Sequence, residues 1–351
     1  MKSSDPFGAS AALSRRGFLL GAGAFAALPS IGDPEPPLRV LVASDIHYRP
    51  GVFPHDNREW LERIVARGVS EKVDFGIQLG DFVHNAARDR DFIDVWRKTA
   101  FPTWSVIGNH DDDATMPAKT REALGLERGH YRFDCKGWRF LVLDTNHAFV
   151  KGKFVHYGAS CGFTYYKLPK ADRMRLTPEQ LEWLKGELDG SPFPCVICSH
   201  VRLDDAGADS TAVMKLVTAA NAAHPGRVRL MMNGHNHCDR FDVTGGVAHW
   251  TVNSANHVWV ARKHTAYPAE DVVRWKGIDH VIAYDTPLCA VLELGRHGSI
   301  AVRGMKGRFW RDIEPQQAGF PKSSATASIA DREMRHRAAS VAEGVVASVR
   351  N

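Results

Sequence analysis

The sequence predicts an α/β protein with a parallel sheet covered by helices, and three observations carry that expectation. Apolar runs alternate with helical patterns as strand, helix, strand, helix, strand between residues 38 and 109. Five apolar runs along the chain stop at Asp, Asn or His, and short runs bounded by Gly and polar residues read as buried strands. After residue 130 the pattern turns to paired, hairpin-like strands, then returns to α/β alternation.

The elements follow in order. Residues 38–47 form the first strand, ending in Ser44-Asp45-Ile46-His47. Asp56 caps a helix carrying Trp60, Leu61, Ile64 and Val65 at helical spacing. A strand running to Gly80-Asp81, a polar helix over 89–98 and a strand ending Gly108-Asn109-His110-Asp111 complete the first βαβαβ unit. A helix near 118–124 precedes a hairpin, residues 131–134 and 138–143 around Cys135-Lys136-Gly137. Residues 146–175 show no clean period and read as a long irregular loop, functional or disordered. Thr177-Pro178-Glu179-Gln180 is a capping box that starts a helix through Leu188, with Leu181, Trp183 and Leu184 on its core side. Strands to His200 and to Gly234-His235-Asn236-His237 flank a helix over 211–223. Antiparallel strands are expected at 247–252, 288–294 and 299–303, then a Ser/Ala-rich tail from 316 with one peripheral helix.

The composition is that of an ordinary globular protein, 44% hydrophobic and 24% charged over 351 residues, and the net charge of +5 lacks the basic blocks of a nucleic-acid binder. The N-terminus reads differently. Arg15-Arg16 leads a twelve-residue apolar stretch rich in Ala and Gly, too short to span a bilayer, with small residues at Ala24-Phe25-Ala26 for cleavage. The expected organisation is a twin-arginine signal and linker over 1–33, a catalytic domain over 34–315 and a tail over 316–351. Such a chain would engage the twin-arginine export machinery, carry no stable membrane anchor and work in the periplasm or outside the cell. Cys195 and Cys198 lie three apart in one strand and so face opposite sides, which makes them core residues and not a redox pair.

Ligands in open α/β sheets sit beyond the carboxyl ends of the strands, so five such ends bring Asp, Asn and His to one edge. Asp45 with His47, and His235 with His237, are i and i+2 pairs that can point the same way. Asp81 is the natural carboxylate to bridge two ions. Imidazole and oxygen ligands without thiolate suit Mn, Fe or Zn. Asp144 and His147 also follow an apolar run but read as outer-sphere or turn residues. His84, Asn85, Asp111, Asn253 and His257 are candidate substrate contacts.

In the order D-x-H, G-D, G-N-H-D, a lone His, and G-H-x-H, these residues resemble the motif series of the calcineurin-like metallophosphoesterases over roughly 38 to 305. The resemblance implies a four-layer α/β/β/α sandwich of two mixed sheets flanked by helices. It assigns Asp45, His47, Asp81 and His237 to one metal, and Asp81, Asn109, His200 and His235 to a second. His110 would protonate the leaving oxygen or stabilise the phosphoryl group. Two departures stand out. Many relatives carry an Asp where this chain has His84, and Asp111 or Asp112, close in sequence, could orient His110 instead. Purple acid phosphatases carry a Tyr ligand there, which this chain lacks.

The expected activity is hydrolysis of a small phosphomonoester or phosphodiester by in-line attack of a metal-bridging hydroxide, with two divalent or mixed-valence ions as cofactor. The exported branch of the family raises a nucleotide-specific phosphodiesterase or diphosphatase as the alternative, with Tyr157, Tyr165, Tyr166 or Trp259 stacking on a base. A non-catalytic metal- or phosphate-binding protein is the alternative of another class, disfavoured because all seven ligands are present. The H-x-H and H-x-H-x-D-H signatures of amidohydrolases and lactamases are absent.

Overall fold

In the computed structural model, which describes residues 36–158, 167–204, 209–260, 262–296, 298–321 and 325–335, the first βαβαβ unit is present. It comprises β1 (Leu38–Ala43), α1 (Asn57–Ser70), β2 (Phe75–Gln78), α2 (Arg90–Arg97) and β3 (Thr103–Ser105), followed by α3 (Pro117–Leu124). The three strands run parallel. Asp56 caps α1 by accepting from the Arg58 amide, which satisfies one of the helix's unpaired donors. The signal segment, Cys161, Tyr165, Tyr166 and residues 336–351, where the expected tail helix ends, lie outside the described residues.

The next strands are β4 (Tyr131–Cys135) and β5 (Trp138–Val142), then β6 (His147–Val150), β7 (Lys153–His156) and β8 (Arg173–Arg175). The last three form a small antiparallel sheet where the sequence was read as an irregular loop. Its turn is Lys151-Gly152, with φ of 48° and 78°, the geometry that matches strand twist in a two-residue hairpin. The same dipeptide, Lys136-Gly137, turns β4 into β5 with φ of 44° and 78°.

Helix α4 (Pro178–Asp189) begins with Thr177 accepting from the Gln180 amide. The reciprocal half of the expected capping box is missing. Gln180 instead brackets residue 144, its Oε1 accepting from the Asp144 amide and its Nε2 donating to the Asp144 carbonyl. Then come β9 (Cys195–Cys198), α5 (Ser210–Ala223), β10 (Val228–Asn233), β11 (Arg240–Thr244) and β12 (Val247–Thr251). The chain continues through β13 (His257–Trp259), α6 (Ala269–Arg274), β14 (Val281–Ala283), β15 (Ala290–Leu294), β16 (Ile300–Arg303), β17 (Met305–Lys306), β18 (Ser328–Ile329) and β19 (Arg332–Met334).

Two six-stranded mixed sheets result, ordered β19-β16-β15-β1-β2-β3 and β11-β12-β10-β9-β5-β4. Strand periodicity of two sends alternate side chains to opposite faces, and three apolar clusters show where they go. Val40, Val42, Phe75 and Ile77 of one sheet meet Phe140, Val142, Leu230, Met232 and Trp250 of the other. Leu41 and Ala43 point outward to Leu61, Ile64, Phe92 and Trp96 of α1 and α2. Leu141, Ile197 and Met231 pack under α4 and α5. The layers are therefore helix, sheet, sheet, helix. Cys198 lies in the inter-sheet cluster and Cys195 in the outer one, so the two thiols are separated by their own strand, and both are free.

The described part of the segment beyond 316 is built into the sheet and core, not peripheral as expected. β19 pairs with β16 as the edge of the first sheet, and Ala325, Ala327 and Ile329 are buried in the main cluster. Among the described residues, no helix is long and apolar enough to cross a membrane.

Candidate metal centre

The carboxyl ends of β1, β2 and β3 in one sheet meet those of β9 and β10 in the other. Asp45 and His47 leave β1, Asp81 leaves β2, Asn109 and His110 open a 3-10 turn after β3, His200 follows β9, and His235 and His237 follow β10. The loops are stitched to their neighbours within each sheet. The Asp45 amide donates to Gly80 O (3.0 Å), the His47 amide to Asp81 O (2.8 Å) and the Gly234 amide to His200 O (3.1 Å).

Five of these residues hold left-handed backbone: Asp45 (φ 51°), His47 (48°), Asp81 (52°), His235 (65°) and His237 (48°). Each such residue costs about 1–3 kcal/mol, and Asp, Asn and His tolerate the region best among residues with a side chain. Five of the seven ligand positions thus leave their strands through a left-handed turn. Two glycines clear the space. A Cβ on Gly108 would lie 2.1 Å from the Asp81 nitrogen, and one on Gly234 would lie 2.4 Å from Asp45 Oδ2.

The side chains face one another across short gaps. His47 Nε2 lies 3.1 Å from His237 Nε2, and His237 Nε2 lies 3.2 Å from Asp45 Oδ1. His200 Nε2 is 3.1 Å from Asp81 Oδ2 and 3.3 Å from His235 Nδ1. His47 Nε2 is 3.7 Å from the same Asp81 oxygen. Two of the rings have already spent a proton elsewhere: His200 Nδ1 donates to Leu79 O (2.8 Å) and His237 Nδ1 to His257 O (2.9 Å). In the neutral tautomer their Nε2 atoms are lone pairs aimed at other acceptors. Metal–ligand bonds of about 2.0–2.2 Å place neighbouring ligand atoms about 3.0–3.5 Å apart, and four of these five gaps fall in that range. The residues fit a pair of cations, with Asp81 common to both groups.

The titration of the site agrees. Burial holds His47 well below its ordinary value and brings His235 down to about 4, which keeps both as neutral donors. Burial also works against protonation of His200, but the Asp81 carboxylate outweighs it and pushes His200 up to about 9. Asp81 is likewise opposed by burial, yet His200, His110 and His47 hold it well below the usual carboxylate range. An Asp81–His200 ion pair thus satisfies the buried carboxylate when no cation does.

His110 stands beside this cluster, its amide donating to Asp81 Oδ1 (2.8 Å). Its Nδ1 is 2.5 Å from Asp113 Oδ2. The orienting carboxylate is therefore Asp113, and not Asp111 or Asp112 as expected. Asp113 also accepts from Tyr157 Oη (2.7 Å) and lies 3.1 Å from His84 Nδ1. His84 Nε2 in turn is 3.0 Å from His47 Nδ1. The histidine that stands where relatives carry Asp is thus a link between ligand His47 and Asp113. Burial lowers His84, keeping it neutral and able to donate on one side while accepting on the other.

The remaining expected substrate contacts are placed otherwise. Asp111 is fully buried and accepts from the Phe82, Val83 and Gly108 amides, which builds the loop instead of facing a ligand. Asn85 accepts from the Arg88 amide and Thr115 Oγ1 in a turn. Asn253 donates to the Thr326 and Ser328 carbonyls and accepts from Tyr284 Oη, anchoring the C-terminal strands. His257 is buried behind the ligands, its ring centroid 4.7 Å from that of His237 and 5.1 Å from that of His47. Tyr157 is buried and committed to Asp113, so it offers no stacking face. Trp259 does: it is 45% exposed, with its ring 6.2 Å from His110 and 6.4 Å from His47.

A buried, strained Asp/His/Asn cluster at the joined edges of an α/β/β/α sandwich is the arrangement of a metal-dependent phosphoesterase. The model of the calcineurin-like phosphoesterase family matches residues 38–239, more than half of the chain, and the protein belongs to that family. No curated protein matches it. Among solved structures it is similar to a dimetal phosphatase from Danio rerio, at 15% identity and a TM-score of 0.52, covering 77% of this chain and 96% of that one. It is also similar to the inner-membrane-complex anchor GAP50 of Plasmodium, at 15% identity and a TM-score of 0.46, covering 84% and 90% of the two chains. A purple acid phosphatase from yellow lupin aligns at 13% identity and a TM-score of 0.45, covering 86% of this chain and 54% of that one. The family implies divalent metal ions.

Proposed function

We propose that the protein is a binuclear phosphoesterase that hydrolyses phosphomonoesters or phosphodiesters, with two ions of the Mn, Fe or Zn type. The observation that carries this is Asp81 Oδ2, within 3.7 Å of His47 Nε2 in one ligand group and 3.1 Å of His200 Nε2 in the other. Asp45, His47, Asp81 and His237 would hold one ion, and Asp81, Asn109, His200 and His235 the other. A pair of ions there supplies an activated water and neutralises charge on the phosphoryl oxygens.

The chain's own residues do the rest. Asp113 fixes the His110 ring, and with Nδ1 so engaged, Nε2 is left to hand a proton to the leaving oxygen. Burial lowers the proton affinity of His110, but Asp81 and Asp113 outweigh it and raise it above the ordinary histidine value. A histidine whose ring is held by a carboxylate in this way suits a general acid. Trp259 offers an exposed aromatic face beside the centre, which favours esters with a flat leaving group and supports a nucleotide diester as the second reading. The paired Arg15-Arg16 before an apolar stretch supports export by the twin-arginine route and work outside the cytoplasm.

The test is turnover of nitrophenyl phosphate against bis(nitrophenyl) phosphate by the Mn(II)-loaded protein. Turnover of either supports the class, and preference for the diester favours the second reading. Absence of turnover of both across Mn, Zn, Fe and Co would overturn the proposal.

A further inference from the structure

A second group of metal-type ligands lies apart from the centre, at the foot of the β6–β7 hairpin. Asp144, His147 and His156 place one ligand atom each within 4.8 Å of one another. His147 and His156 are a cross-strand pair, with ring centroids 4.7 Å apart at 78°, and Asp144 follows β5. His156 Nε2 is 3.0 Å from Asp144 Oδ2, again within the spacing of neighbouring metal ligands.

Buried polar atoms without a hydrogen-bond partner lie at the same place. His147 Nδ1 is buried and has no hydrogen-bond partner. Asp112 is 1% exposed, and neither of its carboxylate oxygens has a hydrogen-bond partner; its Oδ2 approaches His156 Nδ1 at 3.6 Å. A buried carboxylate left so costs several kcal/mol unless a positive charge compensates it. Asp144 is fixed for ligation by its surroundings. Its Oδ1 accepts from the Asn146 amide, Gln180 brackets its backbone, and a Cβ on Gly129 would lie 2.2 Å from its Oδ2.

We propose that Asp144, His147 and His156 form a further metal site, separate from the Asp81 centre, that takes one divalent transition ion of the zinc type. Two imidazoles and one carboxylate without thiolate suit Zn(II) and leave a position for water. Asp112 stands outside it, its Oδ2 3.6 Å from His156 Nδ1, where a small closing shift on metal binding would give the carboxylate–histidine–metal arrangement that fixes the ring and strengthens its donor nitrogen. Without an ion, burial disfavours the imidazolium of His156, but Asp144 and Asp112 outweigh it and raise its proton affinity.

The site has a structural purpose. The hairpin packs on little apolar surface of its own, Ala148 and Tyr157 with a few partly buried neighbours, and small sheets of this kind gain from a metal clamp. Tyr157, one residue after His156, holds Asp113, which holds His110. An ion at the hairpin foot would therefore steady the general acid of the Asp81 centre without touching substrate.

The test is zinc content per chain after stripping, reloading with Zn(II) and dialysis, read by inductively coupled plasma mass spectrometry. The full-length His147→Ala chain is expected to hold one equivalent fewer than wild type, and Asp112→Asn to bind that equivalent about 10- to 100-fold more weakly. Equal zinc in wild type and His147→Ala would overturn the proposal and leave an Asp–His ion pair. Crystals of the wild-type protein soaked in Zn(II) give a second reading that needs no variant. An anomalous peak about 2.0–2.2 Å from His147 Nδ1 and an Asp144 oxygen supports the site, and density without such a peak overturns it. Both readouts are independent of phosphoesterase turnover, so failure here leaves the Asp81 centre unaffected.

Discussion

Replacing Asp113 by Asn should separate substrates by their leaving groups. The carboxylate meets His110 Nδ1 at 2.5 Å, His84 Nδ1 at 3.1 Å and Tyr157 Oη at 2.7 Å. A hydrogen bond to a charged group is worth about 1.5–3 kcal/mol, and at about 1.4 kcal/mol per tenfold that is a roughly 10- to 150-fold effect on any step that needs an oriented, protonated His110. An alkyl phosphate needs its leaving oxygen protonated in the transition state, so its kcat should fall by about 100-fold. Nitrophenyl phosphate leaves readily as the anion and should lose only a few-fold, with KM near wild type for both. The pH profile gives a second readout. His110 must be protonated to act, so activity on the alkyl ester declines as pH rises through its raised value. Without the Asp113 charge that decline should move to lower pH. Steady-state kinetics on the two esters at matched metal content is the assay. Equal losses for both leaving groups, or no loss for either, would refute the reasoning that Asp113 works through proton transfer by His110.

Three further outcomes are expected. Asp81→Asn removes the carboxylate charge shared by both ligand groups, so bound Mn(II) should drop and turnover fall by at least about 100-fold, as checked by metal analysis and kinetics. Gly108→Ala would put a Cβ 2.1 Å from the Asp81 nitrogen, forcing the loop to move. A loss of about 3 kcal/mol in urea unfolding, with weakened metal retention, is the expected result. Trp259→Ala should raise KM for a nucleoside diester about five-fold, the loss of about 1 kcal/mol of stacking at an exposed face, while leaving a small alkyl phosphate unchanged.

The centre was legible in the sequence because its ligands sit where strands end. A buried run that stops at Asp or His is a local signal, and the sheet converts five such signals into one cluster. Asp113 was not legible, because it lies beyond the strand end in a turn and meets His84 only across the loop after β2. The hairpin of β6 and β7 had a signal that was missed: Lys151-Gly152 between alternating residues repeats the Lys136-Gly137 turn that was recognised. The tail strand β19 is three residues long, too short for any period, and its place comes from pairing with β16. Asn253 and Asp111 misled for one reason. A polar side chain at a strand end satisfies backbone groups of buried loops as readily as it faces a ligand, and only the hydrogen-bond partners tell the two apart.

The central claim is that Asp81 joins two metal ions, and electron paramagnetic resonance of the Mn(II)-loaded protein tests it most directly. A shared carboxylate should give an exchange-coupled spectrum in the wild type that collapses to isolated Mn(II) signals in Asp81→Ala. Isolated signals in the fully loaded wild type, or coupling that survives in Asp81→Ala, would contradict it.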